Sequence, residues 1–262
     1  MQLTPRVLPE ASCIGEEIAQ LIVDRLADKH GRPFLLGCPS GRTAAPVYAA
    51  LARRARTGAD MSGLVIVMMD EYLIPDEEGV LRTVDAAASY SCLRFAREDI
   101  LEPIVAASIA AGTVPPREIW TADPAAPDAF DERIGAAGGI DLFILASGGS
   151  DGHIAFNQPG TARDAGTHVV DLGEATRRDN MGTFPEFTRL DMVPRHGVTV
   201  GVDTIARLSA SVVMILTGEH KQNAFARISA AQSYEPDWPA TIVTECRNAV
   251  LLADAAAAGV RV

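Results

Sequence analysis

Short apolar runs recur along the chain, and longer segments of mixed polarity separate them. Polar and apolar residues do not alternate within the runs, which is typical of strands buried on both faces of a parallel sheet. Strands that alternate with helices in this way predict an α/β fold with a doubly wound, mostly parallel sheet and helices on both faces. The runs are Pro33–Leu36, Leu64–Met69, Ile140–Leu145, Val212–Leu216 and Ala249–Leu252.

The segment before the first run predicts an amphipathic helix. Its apolar residues fall on one helical face and its charged residues lie elsewhere, so we expect the helix to pack on the sheet. The apolar positions are Ile14, Ile18, Leu21, Ile22 and Leu26.

Two stretches lack a clear periodicity of hydrophobic residues. They are residues 110–127, which are rich in Pro, Gly and Ala, and the polar residues 161–194. We predict a loop for the first and an excursion from the sheet for the second, and long excursions are often lids or substrate loops. Because strands of one sheet lie on both sides of each stretch, we expect residues 1–262 to form a single domain.

Composition narrows the class of protein. A chain of 262 residues with 48% hydrophobic content can bury a full core, and its net charge of -11 argues against a nucleic-acid or membrane partner. The cysteines Cys13, Cys38, Cys92 and Cys246 show neither metal-ligand nor disulfide spacing, so we expect reduced thiols. No secretory signal pattern or bilayer-spanning run is present, and we therefore expect a cytoplasmic protein.

A turn of small residues follows the first apolar run and leads into a helical segment. It contains Ser40, Gly41, Arg42 and Thr43, within LLGCPSGRT. Backbone N–H groups at a helix N-terminus can hold an anion, and the two hydroxyl groups add donors. The turn is thus either a phosphate site or a turn whose small residues serve its geometry alone.

Acidic residues and a histidine follow two other strands. Asp70, in MDEY, comes at the end of the second run, where ligands of open α/β sheets bind and where a carboxylate can act as a base. The alternative is that Asp70 and Glu71 cap a helix or are solvated. Asp151 and His153, in ASGGSDGHIAFNQP, follow the third run, and a carboxylate so close can orient an imidazole for proton transfer.

Lys221, in GEHK, follows the fourth run. A lysine at a strand-to-helix junction can hold a phosphate as a point charge. The alternative is a solvent-facing lysine at the start of a helix.

Taken together, these segments resemble the glucosamine-6-phosphate deaminase family over residues 32–254. MDEY followed by DGHIAFN is the specific combination, and RPFLLGCPSGRT, SYSCLRF, TVGVDTI and GEHK also match. The resemblance implies a Rossmann-like sheet that binds a hexose 6-phosphate at its carboxyl edge, without a metal or an organic cofactor. The implied reaction is aldose–ketose isomerisation with loss of ammonia.

The resemblance also implies roles for the candidate residues. The turn Ser40–Thr43 and Lys221 hold the phosphate of the sugar. Asp70 matches the base that moves a proton between C2 and C1, His153 matches the group that opens the pyranose ring, and Asp151 matches its partner.

The chain departs from the deaminase pattern at three places. Gln158 replaces the glutamate of FNEP, and an amide can form hydrogen bonds but cannot hold a negative charge. Arg42 replaces a glycine. Asn180–Phe184 lacks the arginine that deaminases bring to the phosphate, and we expect Arg42, Arg177, Arg178 or Arg189 to substitute for it.

Two alternatives to a deaminase remain open. The 6-phosphogluconolactonases share the Asp-Gly-His core, although this chain lacks their Asp-Glu-Arg and Thr-Ala-Ser-Leu-Phe-Pro patterns. One alternative is therefore hydrolysis of a sugar-phosphate lactone, and the other is a sugar-phosphate-binding homologue without catalysis. The oligomeric state is also open, a homo-oligomer included.

Overall fold

The computed structural model describes residues 3–30 and 32–260. Its strands, in chain order, are β1 (Arg6–Leu8), β2 (Phe34–Cys38), β3 (Leu64–Met68), β4 (Asp70–Pro75), β5 (Leu81–Thr83), β6 (Glu118–Trp120), β7 (Leu142–Ala146), β8 (His168–Asp171), β9 (His196–Thr199), β10 (Val212–Leu216) and β11 (Ala249–Asp254). Within this part of the chain, seven strands form a parallel sheet in the order β1-β11-β10-β7-β2-β3-β6.

Helices cover both faces of the parallel sheet, which confirms the predicted fold class. The helices are α1 (Ala11–Asp28), α2 (Ala45–Arg56), α3 (Cys92–Phe95), α4 (Glu102–Ala111), α5 (Asp128–Ala136), α6 (Glu174–Thr183), α7 (Val202–Leu208), α8 (Gln222–Ala230) and α9 (Ala255–Ala258). Helices α1, α2 and α4 share one apolar core with the sheet, and α5, α7 and α8 share the other. Among the described residues, every helix is too short or too polar to span a bilayer.

The two cores explain why the central runs are continuously apolar. Leu36 and Ile66 point into the core beneath α1 and α2, whereas Leu35 and Val65 point into the opposite core. Successive residues of a strand face opposite sides of a sheet, so a strand covered on both sides needs apolar residues throughout. The predicted face of α1 is also confirmed, with Ile14, Ile18, Ile22 and Leu26 buried and Leu21 partly buried.

A second, antiparallel sheet of order β5-β4-β9-β8 lies beyond the first and was not predicted. Its strand β4 begins at Asp70, so MDEY passes from one sheet directly into the other. Asp70 is paired with Thr199 of β9, and the same residue of β9 is paired with His168 of β8. This sheet therefore fixes the backbone at the end of β3.

The two weakly periodic stretches contain regular structure. The prediction of a loop over residues 110–127 is wrong in part, because β6 pairs with β3 there as an edge strand. Three residues are too few to show a period of two in the sequence. The excursion over residues 161–194 contains β8, α6 and a 3-10 turn at Leu190–Met192.

Candidate active site

The carboxyl ends of the central strands open onto two adjoining cavities of about 140 and 830 Å³. The smaller cavity contains the candidate acid–base residues Asp70 and His153 together with Ser40 and Gly41. Five residues line both cavities, namely Arg42, Thr43, Asp179, Thr183 and Lys221. The fold thus brings residues from five separate segments of the sequence to one place.

The turn between β2 and α2 has the geometry of an anion site. Gly41 has a φ of +93°, a left-handed conformation that favours glycine. The Tyr48 hydroxyl of α2 donates to the Pro39 carbonyl over 2.7 Å and holds the turn in place. The backbone amides of Gly41, Arg42 and Thr43 donate to no described residue, so they remain available to an anion.

Asp70 is a buried carboxyl group with only 9% of its surface exposed. Its pKa is raised to about 7, chiefly by burial. The charge of Glu71 also raises this pKa, whereas a hydrogen bond from the Cys92 thiol and the charge of His153 partly offset the rise. A group with such a pKa can both accept and return a proton near neutral pH.

Glu71, unlike Asp70, is fully engaged in hydrogen bonds with the start of α3. It is 3% exposed, and its carboxylate accepts hydrogen bonds from the backbone amides of Cys92 and Leu93 at 3.0 and 2.9 Å and from the Ser91 hydroxyl at 2.8 Å. These contacts satisfy amides at the start of α3. The helix-capping alternative therefore applies to Glu71, and neither member of the acidic pair is solvated.

Asp151 and His153 form a hydrogen-bonded pair after β7. Their Oδ1 and Nδ1 atoms are 2.8 Å apart, and the His153 backbone amide donates to the same oxygen over 3.2 Å. Burial alone would raise the pKa of Asp151, but the hydrogen bonds and charge of His153 lower it below its usual value. The carboxylate is therefore ionised and accepts from Nδ1, which leaves Nε2 to exchange a proton.

Two glycines of this turn are required by close contacts. A Cβ at Gly148 would lie 2.3 Å from Nδ1 of His153 and 2.6 Å from Oδ1 of Asp151. Gly152 has a φ of +68°, and a Cβ there would lie 2.3 Å from the Trp238 ring. Gly148 therefore makes room for the Asp151–His153 pair, and Gly152 makes room for the Trp238 ring.

Lys221 provides a fixed positive charge between the cavities. Its Nζ donates to the Ser147 carbonyl over 2.7 Å. Burial lowers its pKa, the carboxylates of Asp179 and Asp151 raise it, and Arg42 lowers it. Lys221 is therefore not the solvent-facing lysine of the alternative interpretation.

Among the four arginines expected to complete the site, Arg42 has no hydrogen-bond or ion-pair partner within the described residues. It lines both cavities, and Nη2 lies 3.8 Å from the position that a Cβ would occupy at Gly182. The absence of a side chain at Gly182 thus leaves space beside the guanidinium.

The other three arginines are engaged elsewhere. Arg177 donates to the backbone carbonyls of Leu190 and Val193 and ties α6 to the following turn. Arg178 lines the larger cavity but is paired with Glu174, and the exposed Arg189 is paired with Asp191 over 2.8 Å.

Gln158 lines neither cavity. Its Nε2 donates to the Asp171 carbonyl over 2.9 Å, and no hydrogen bond joins it to His153 within the described residues. Its neighbour Asn157 is structural, since Nδ2 donates to the carbonyls of Ile154 and Val200. A catalytic role for Gln158 therefore stays a prediction.

Three further side chains belong to this site although the sequence did not single them out. Cys92 donates to Asp70, and Thr176 and Asn180 of α6 line the smaller cavity. The four-residue spacing of Thr176 and Asn180 places both on one helical face, but only the fold shows what that face meets. No group of three or more His, Cys, Asp or Glu side chains in the described residues is arranged to hold a metal ion.

Residues 10–252 match the model of the family described as glucosamine-6-phosphate isomerases/6-phosphogluconolactonase. A glucosamine-6-phosphate deaminase of Exiguobacterium sp. is 35% identical over 247 residues, which covers 93% of this chain and 87% of the relative. One from Streptomyces coelicolor is 35% identical over 223 residues, covering 84% and 78%.

Solved structures show the same fold. A monomeric glucosamine-6-phosphate deaminase superposes with a TM-score of 0.80 at 22% identity, and all of both chains is covered. A 6-phosphogluconolactonase from Thermotoga maritima has a TM-score of 0.65 at 18% identity, covering 97% of this chain and 99% of its own.

Proposed function

The chain belongs to the glucosamine-6-phosphate isomerase and 6-phosphogluconolactonase family, and we propose that it is a glucosamine-6-phosphate deaminase. The reaction converts glucosamine 6-phosphate and water to fructose 6-phosphate and ammonia. One observation carries the proposal: Asp70 and His153 face a cavity that Arg42 and Lys221 also line, so an acid–base pair and two cations meet in one site.

The phosphate binds at the turn after β2. The free amides of Gly41, Arg42 and Thr43 donate to its oxygens, and the guanidinium of Arg42 and the ammonium of Lys221 neutralise its charge. Both cations line the two adjoining cavities, so the phosphate binds where the two cavities join. The sugar extends from there into the smaller cavity, towards Asp70.

His153 opens the sugar ring. The bond between C1 and the ring oxygen breaks, the ring oxygen gains a proton, and the hydroxyl on C1 loses one. Nε2 of His153 carries out this transfer while Asp151 holds Nδ1 over 2.8 Å. The product of this step is the open-chain aldehyde.

Asp70 then acts as the base. Its carboxylate takes the proton from C2 and returns it to C1. The C1 oxygen gains a proton and the 2-amino group loses one, so the amino aldehyde becomes a ketimine with a hydroxyl group on C1. Water adds to the C2–N bond, ammonia leaves, and the ketose remains. A pKa of about 7 suits both halves of this transfer, because neither the acid nor the base form is scarce near neutral pH.

The first test is ammonia release and fructose 6-phosphate formation from glucosamine 6-phosphate. In deuterated water, we expect the wild-type enzyme to incorporate solvent deuterium at C1 of the product. Asp70→Asn should lower kcat by about 10³-fold or more while the Kd for substrate stays within about threefold, because the amide keeps the shape but cannot take a proton. Asp191→Asn, at an exposed ion pair outside the cavities, is the matched control.

Hydrolysis of 6-phosphogluconolactone is assayed on the same preparation. Lactone consumption without ammonia release would overturn the proposal in favour of a lactonase. Thermal stabilisation by the sugar phosphate without any product would indicate a binding protein.

We also place the protein in the cytoplasm, where its proposed substrate would be a metabolite.

A further inference from the structure

Helix α6 presents two buried polar groups to the smaller cavity. Thr176 is 2% exposed, and its Oγ1 has no hydrogen-bond partner in the described structure. Nδ2 of Asn180 is also buried without a partner, and both residues line the cavity that contains Asp70 and His153. Buried polar groups are paired in about 90% of cases, so two on one face of one helix need an explanation.

A purely local explanation does not account for them. A threonine within a helix often donates to the carbonyl four residues earlier, as Thr183 does to Asp179 over 3.3 Å in this same helix. Thr176 stands near the start of α6, whose first residue is Glu174, and forms no such bond. Its hydroxyl can therefore both donate to and accept from a ligand, while the Asn180 amide can donate.

The position of α6 indicates which part of a ligand these groups meet. The C-terminal end of the helix lies against the phosphate turn, where a Cβ at Gly41 would be 3.6 Å from Cγ2 of Thr183. Asn180 and Thr176 lie successively further back along the helix, and Thr176 lines only the cavity that contains Asp70. A chain anchored by phosphate at Arg42 thus runs along α6 before its reacting carbons reach Asp70.

We propose that Thr176 and Asn180 bind the hydroxyl groups on C3 and C4 of the substrate and so determine its specificity for a polyhydroxylated sugar phosphate. The inference rests on the proposed function for the identity of the sugar. It adds two residues that position the carbon chain over Asp70 without exchanging a proton with it. The proposal accounts for two buried polar groups that have no partner among the described residues.

The test compares glucosamine 6-phosphate with its 3-deoxy and 4-deoxy analogues on wild-type enzyme, Thr176→Val and Asn180→Leu. Each variant should lower kcat/KM for the parent sugar about tenfold, and should lower it less than about twofold for the analogue that lacks the hydroxyl group it binds. Thr176→Ser keeps a hydroxyl and should recover most of the activity. Equal losses on all three substrates, or no loss, would overturn the proposal.

Thermal stability separates this role from a structural one. Because the Thr176 hydroxyl has no partner among the described residues, Thr176→Val should leave the Tm unchanged or raise it. Ser108→Ala is the matched control, since Ser108 in α4 is another buried hydroxyl that has no partner in the part of the chain that the structure describes, and it lines neither cavity. It should behave like Thr176→Val in stability and like the wild type in kinetics. A Tm loss in Thr176→Val with unchanged substrate discrimination would also refute the proposal.

If the proposed function is wrong, the wild-type protein will not turn over glucosamine 6-phosphate, and this result is distinct from the outcomes above. In that case the same comparison is made in Kd by calorimetry with the three sugar phosphates. The proposal then requires the same pattern: about tenfold weaker binding of the parent sugar by each variant, and little change for the matching deoxy analogue.

Discussion

The Cys92 thiol donates a hydrogen bond to the carboxylate of Asp70, with Sγ and Oδ1 3.3 Å apart. The same sulfur lies 3.5 Å from Oγ of Ser40, so one buried side chain joins the proposed phosphate turn to the proposed base. A thiol is a weak donor, and it stabilises the ionised form of Asp70 only modestly against the cost of burial. Cys92 therefore lowers the pH at which the base becomes active, although burial has the larger effect.

Cys92→Ala should move the acid limb of the kcat/KM profile to higher pH, because the carboxylate loses a donor. Cys92→Ser should move it to lower pH, because a hydroxyl forms a stronger hydrogen bond. At pH 6 we expect changes of about threefold to fivefold in opposite directions, as a weak hydrogen bond is worth about 1 kcal/mol. The profile is measured from pH 5 to 9. An acid limb that coincides in all three proteins would show that the thiol does not act on Asp70.

Asp70 should make the folded protein less stable as the pH rises from about 4 to 7. In this window the folded protein keeps a proton that the unfolded chain has released, because burial raises the pKa of Asp70 from its usual value to about 7. Asp70→Asn removes this effect. The free energy of unfolding of Asp70→Asn at pH 8 should exceed that of the wild type by on the order of 4 kcal/mol, and the difference should shrink towards pH 4. Urea unfolding at both pH values measures it, and an equal difference at both would contradict the prediction.

Gly148→Ala should lower kcat about 100-fold or more, because the added methyl group would lie 2.3 Å from Nδ1 of His153 and must displace the pair with Asp151. Gly135→Ala in α5 is the control, since a Cβ there meets no atom within 4 Å. That substitution should stabilise the protein by about 0.5–1 kcal/mol without a kinetic effect. Steady-state kinetics and thermal unfolding of both variants make the comparison. Normal turnover in Gly148→Ala would argue against the pair in catalysis.

Arg42→Ala should raise KM for the sugar phosphate about tenfold to 100-fold, because a hydrogen bond to a charged group is worth about 1.5–3 kcal/mol. Arg189→Ala, at an exposed ion pair, should change it less than twofold. On unphosphorylated glucosamine, Arg42→Ala and the wild type should be equally slow. A loss of similar size on both sugars would show that Arg42 does not act on the phosphate.

Much of the active site follows from local sequence. Asp70 comes directly after an apolar run, and His153 and Lys221 lie in the turns that follow two others. The carboxyl ends of parallel strands meet at one edge, so the convergence of these residues could be predicted. The close approach of the Asp151–His153 pair follows from a spacing of two residues in a glycine turn. The second sheet could not be predicted in this way, because β5 and β8 are short and because the pairing of β4 with β9 joins residues more than 120 positions apart.

The choice among the four arginines shows the limit of the sequence most clearly. Each has the charge to hold a phosphate, and nothing local separates them. Arg177, Arg178 and Arg189 are each held by a nearby partner, and only Arg42 is left free beside the space at Gly182. In the same way, MDEY suggests a pair of similar acids, yet burial makes one a base and the contacts with α3 make the other a cap.

The sequence by itself determined the α/β class, the central strands and the segments that carry the chemistry, because burial on both faces and tight turns restrict residue types locally. Only the tertiary structure decided the pKa of Asp70, the free guanidinium of Arg42, and the exposure of Thr176 and Asn180 to the cavity. These properties depend on desolvation and on partners that are distant in sequence, and the packed molecule alone brings those together.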